Sequence, residues 1–131
     1  RRTEESLAEI RDALAIMRDA TARDRHREDA DFAFHSAISR ASDNQYFETA
    51  MDALKEHIAV GMQFHGQSLK ATPDGLQRVF DEHAAIYQAI VDRDADTAHR
   101  LMRKHLEGSR ERLFEGRPSA EDVPAYQNAA R

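Results

Sequence analysis

The chain has 131 residues, enough for one domain with one substantial core and too few for a second. With 24 acidic side chains against 19 Lys plus Arg, a formal charge of −5 and no cysteine, it lacks the concentrated positive charge that phosphate neutralisation demands. Disulfide frameworks, thiolate metal sites and cysteine nucleophiles are excluded together, and no apolar run approaches the roughly 20 residues that span a bilayer, so the expectation is a cytoplasmic protein with no membrane partner.

Five glycines, three prolines and no alternating β-branched segments predict an all-α chain. Thr3 is a plausible N-cap for a first helix from about Glu4 to Arg23, with Leu7, Ile10, Leu14 and Met17 on one stripe. The polar stretch ARDRHRED leads into a second helix carrying Asp31, Phe34, His35 and Ile38, which ends near Ser42, Asp43 and Asn44. Asn44 can cap a long third helix. Its stripe is Met51, Leu54, Ile58 and Met62, with Tyr46, Phe47, Phe64 and Leu69 beside it, and it stops before the turn signature in ATPDG. A fourth helix covers about Leu76 to Asp92. Asp94 can cap a fifth that continues to about Glu115, with Leu113 and Phe114 closing its apolar face. Short connections between amphipathic helices imply an antiparallel bundle of about five to six helices over residues 1–115. Beyond it lies a polar tail, 116–131, expected to be loose or to pack late.

Four polar residues stand where that bundle needs apolar ones. Asp31 and His35 form a D-x3-H pair, one helical turn apart on one face, where both can reach one ion. His83 shares a face with Leu76, Val79, Phe80, Ile86 and Ile90, and His105 shares one with Ala98, Leu101 and Met102. Any one inward histidine is ordinarily a hydrogen-bonded core residue; four inward polar groups together must be paired, hydrogen-bonded or coordinated. Three neutral imidazoles and one carboxylate suit zinc first, or nickel or manganese, and leave one or two positions for an exogenous oxygen. Of the other histidines, His26 lies in a charged connection and reads as solvated, His65 comes nearest the expected pocket, and His57 and His99 carry no signal. Arg78 could reach an anion but reads more simply as a surface residue.

DADFAFHSAISRASDN, then EHAAIYQAI-x2-RDADTA, then LMRKHL resemble, in order and spacing, the FCD ligand-binding domain that follows a winged helix in GntR-type transcription regulators. In the metal-binding branch of that family the ligands are an aspartate, a histidine four residues later and two histidines on later helices, which here would be Asp31, His35, His83 and His105. The resemblance implies a divalent metal and a small organic acid effector inside the bundle, a homodimer, and operator DNA met only through an N-terminal winged helix. It also implies that this chain starts after the family's first helix and its effector-clamping arginine. Two other functions compete with this sensor. One is a metal-dependent enzyme acting on a small carboxylate, against which stands the absence of H-E-x-x-H, of a second metal's carboxylates and of a nucleophile elbow. The other is the metal-free, acyl-binding branch of the same family, which the four retained ligands oppose. A non-enzymatic sensor is therefore the expectation.

Overall fold

In a computed structural model, residues 3–114 are described. The side chains of Leu113 and Phe114 and the expected tail 116–131 lie outside the described residues. Six helices and no strand are present among them: α1 (Glu4–Ala22), α2 (Glu28–Ala41), α3 (Gln45–Ala53), α4 (Lys55–Lys70), α5 (Gly75–Val91) and α6 (Ala95–Phe114). None is long and apolar enough to cross a membrane.

The helix starts follow local chemistry. Thr3 and Ser6 form a reciprocal capping box, with Ser6 N donating to Thr3 Oγ1 at 3.0 Å and Thr3 N to Ser6 Oγ at 2.8 Å. The Asn44 side chain accepts from Tyr46 N, and Asp94 Oδ1 accepts from Thr97 N. The ends of α1 and α5 are less conventional. Asp24 and Arg93 take left-handed backbone, with φ of 55° and 57°. Arg25 N then reaches Ala20 O at 2.8 Å, and Asp94 N reaches Ala89 O at 2.9 Å, as in a Schellman turn.

The long third helix expected from periodicity is two helices. At Leu54 the backbone turns to φ −99°, ψ 5°, ending α3 and starting α4. Hydrogen bonds from Leu54 N to Ala50 O and from Ile58 N to Leu54 O still run through the junction, so this is a bend and not a loop. The two halves follow different neighbours. α3 lies against α2 and α4 and buries no residue, leaving Tyr46 and Phe47 exposed, whereas α4 also meets α5 and α6 and buries His65, Gly66 and Leu69.

Ile10, Ala13, Leu14 and Met17 of α1 pack with Ala30, Phe34 and Ala37 of α2 and Ile86 of α5. Fully burying side chains such as Phe34 or Ile86 contributes roughly 1.5–3 kcal/mol each. α2 packs directly on α1, α3 and α4, and α5 on α1, α4 and α6. Phe34 closes the top of the apolar core, its ring edge-on to His83 at 4.9 Å and to His35 at 5.5 Å. Above it the interior turns polar.

Arg93 is exposed and holds a left-handed conformation that costs a residue with a Cβ about 1–2 kcal/mol. Arg93→Gly should therefore stabilise the chain by up to about 1 kcal/mol after the glycine's extra unfolded-state entropy is subtracted. The check is a higher urea midpoint with an unchanged slope.

Candidate metal centre

Asp31 occupies the first turn of α2, where the helix dipole favours a carboxylate, yet only 3 % of it is exposed. His35 follows one turn later, its Nε2 3.2 Å from Asp31 Oδ1. His83 comes from the middle of α5. Its Nδ1 lies 2.8 Å from Val79 O, and a carbonyl can only accept, so Nδ1 carries the proton. That leaves His83 Nε2 3.1 Å from Asp31 Oδ1 and 3.4 Å from His35 Nε2. His105 of α6 stacks on His35, with ring centroids 5.5 Å apart, and its Nδ1 donates to Glu82 Oε1 at 2.9 Å. In both His83 and His105 the outer nitrogen is tied to an acceptor and Nε2 is released inward, which is how metal-bound imidazoles are held. One nitrogen from each of His35, His83 and His105 lies within 4.8 Å of the other two.

Oδ1 of Asp31 and two Nε2 atoms thus converge at 3.1–3.4 Å in the bundle interior. Three acceptors so close repel one another unless a proton or a metal ion sits among them, so the donor set fits a divalent cation. Burial alone would raise the Asp31 carboxyl, but the imidazoles of His26, His35 and His83 gathered around it outweigh burial and hold the group well below the usual carboxylate range. Burial lowers His105, opposed by its hydrogen bond to Glu82 and reinforced by His83 and His35. An imidazole kept neutral is the form that binds metal.

One histidine differs from its sequence reading. His26 is not solvated: its Nε2 lies 3.0 Å from Asp31 Oδ2, and its side chain is 10 % exposed. The signal that could have found it is Gly66, whose hydrogen faces the His26 ring where a Cβ would come within 2.6 Å of Nδ1. His65 is buried, as its expected place near the pocket suggests, and accepts from Arg112 Nε at 3.4 Å. Burial and the Arg112 charge push it down to about 4, so it is neutral near pH 7. Arg112 also donates to Glu82 Oε1 at 3.1 Å, so Glu82 joins His105 to a guanidinium. Burial would raise Glu82, but His105 and Arg112 lower it. Arg78 is exposed on the α5–α6 groove, and His57 and His99 are exposed.

Beside the cluster, between α4 and α6, opens a cavity of about 260 Å³. Ile58, Met62 and Leu106 supply apolar walls, Ser109 and Arg110 polar ones, and Asp31, His35, His65 and His105 line it as well.

The FCD domain family matches residues 1–108. The chain belongs to the FCD domain family. This FCD domain is 33% identical over 107 residues to the HTH-type transcriptional regulator LutR of Bacillus subtilis (strain 168), a stretch that is 81% of this chain and 49% of that protein. The chain therefore spans about half the length of the curated relative it matches. The FCD resemblance read from DADFAFHSAISRASDN and the later segments holds, as does the all-helical fold.

A carboxyl lowered on folding stabilises the native state fully above its unfolded value, about 3.9, and loses that contribution as pH falls through the folded value. In metal-free protein, Asp31→Asn should cost roughly 1.5–3 kcal/mol at neutral pH, the range for hydrogen bonds to a charged group. The gap between variant and parent should narrow progressively as pH falls below about 3.9 and on through the folded value. Urea unfolding across that range measures it.

Proposed function

We propose that this domain is the effector-sensing part of a GntR-type transcription regulator, and that Asp31, His35, His83 and His105 hold a divalent ion in it. Zinc suits the donors best, with nickel or manganese next. The observation that carries the metal reading is the convergence of Asp31 Oδ1, His35 Nε2 and His83 Nε2, with His83 and His105 both anchored through Nδ1. Similarity to a helix-turn-helix regulator about twice as long supports the regulatory half. A small organic acid is the effector class: its carboxylate reaches the ion from the α4–α6 cavity and its carbon skeleton rests on Ile58, Met62 and Leu106. When bound, the ion supplies the positive centre that an anion needs in a chain of charge −5.

The parent protein is a cytoplasmic homodimer that meets a two-fold operator through an N-terminal winged helix, since two-fold proteins match two-fold sites. The domain senses and does not catalyse. Glu82, the carboxylate nearest His105, is engaged by His105 and Arg112 and does not stand ready as a general base.

His83→Ala and His105→Ala should each lower metal affinity at least roughly 100-fold, more than loss of an outer hydrogen bond would. His99→Ala, at an exposed position, should leave it unchanged. Elemental analysis and competition with a chromophoric chelator read this out; full metal content in both core variants would overturn the assignment. Hydroxy or dicarboxylic acids at about 100 times their Kd should add about 2.7 kcal/mol to the metal-loaded chain and nothing to the metal-free one. Equal stabilisation of the two forms would place the acid elsewhere.

A further inference from the structure

The two oxygens of Asp31 are divided between two sets of partners. Oδ1 faces His83 and His35 at 3.1 and 3.2 Å, while Oδ2 faces His26 Nε2 at 3.0 Å. His26 belongs to none of the helices that carry the other donors. It sits in the connection before α2, just after the left-handed turn at Asp24, and its ring is laid over Gly66 of α4. A Cβ at position 66 would stand 2.6 Å from His26 Nδ1 and 3.0 Å from its Cγ, so only glycine admits the ring. Glycine in a helix interior weakens the helix, and here it opens the space that His26 fills. His26 Nδ1 is buried with no hydrogen-bond partner among the described residues. The ring's polar capacity is thus spent on Asp31 alone, and a side chain needed only for packing would not leave a buried nitrogen unpartnered.

We propose that His26 is a positioning residue that occupies Asp31 Oδ2 and so makes Asp31 a one-oxygen ligand, aimed through Oδ1 at the His35, His83 and His105 cluster. This rests on the metal reading above. The χ2 torsion of an aspartate is broad and nearly two-fold, so the carboxylate has little intrinsic preference about which oxygen it offers. With Nε2–H of His26 fixed on Oδ2, the carboxylate cannot turn to chelate with both oxygens. The position that a second oxygen would occupy stays available to the effector's carboxylate. Gly66 makes α4, a wall of the effector cavity, the platform on which this arrangement rests.

The test uses cobalt(II) as the probe on the full 131-residue chain. Electronic absorption reports coordination number, because ligand-field bands weaken as coordination rises above four. The parent chain takes up cobalt. His26→Ala should bind it roughly 10- to 100-fold more weakly, as expected for loss of an outer hydrogen bond, and with altered band intensity. His26→Gln, whose amide Nε2–H can reach the same oxygen, should restore both. Gly66→Ala keeps the imidazole but displaces it and improves helix propensity; it should reproduce the His26→Ala spectrum and decides the matter if His26→Ala does not fold. Parent-like affinity and spectrum in His26→Ala or in Gly66→Ala would overturn the proposal. So would a His26→Gln protein as perturbed as His26→Ala, since position 26 would then be packing only. Failure of the parent itself to take up cobalt overturns the metal reading and this role with it, whereas cobalt uptake indifferent to His26 overturns this role alone.

Discussion

A single buried carboxylate organises the interior of this bundle. Desolvating an ionised Asp31 costs several kcal/mol, and among the described residues no guanidinium or ammonium is brought against it. The nearby Arg112 is turned to Glu82 and His65 instead. Compensation comes from imidazoles, arriving from the connection before α2, from α2 itself and from α5, with His105 of α6 stacked alongside. The backbones of α2 and α5 do not approach each other closely, so the bridge between them is made by side chains meeting across the middle of the domain. Phe34 and Ile86 seal the floor beneath it.

That arrangement joins sensing to shape. In the proposed sensor Asp31 and His35 of α2, His83 of α5 and His105 of α6 would hold the ion between them, and an acid in the adjoining cavity would add α4 to the same point. A ligand can transmit a signal only through different affinities for two packings of these helices. The Arg112, Glu82 and His105 chain of hydrogen bonds gives α6 a second attachment to α5, so a change at His105 is felt along the C-terminal half of α6 and not at one side chain alone.

Much of this was legible in the order of residues, and the limits have physical causes. The 3.6-residue period on α1 and α5 identified Ile10, Leu14, Met17, Leu76, Val79 and Ile86, because their faces are buried against several neighbours at once. His83 was visible as a polar residue on that face of α5, and His105 on the apolar face of α6. The bend at Leu54 was not, since no proline or glycine marks it and the backbone hydrogen bonds continue through it. The left-handed turns at Asp24 and Arg93 lack the glycine that ordinarily announces them. His26 was misread because RDRHRED has the composition of a solvated connection. Its burial depends on a glycine 40 positions later in sequence, a relation that no local window contains.

The bend at Leu54 divides the protein mechanically as well as geometrically. α3 buries no side chain and carries its aromatic residues on an open face, so little apolar contact resists its separation from the rest. Local opening draws on the contacts of the segment that opens, and the free energy of detaching α3 is a small fraction of that for unfolding the domain. Amide hydrogens of Gln45–Ala53 should thus exchange faster than those around His83. The cavity wall of α4 begins where this loosely held segment ends. A ligand entering beside Ile58 and Met62 would pass close to this loosely held segment on its way to the most deeply buried side chains of the domain.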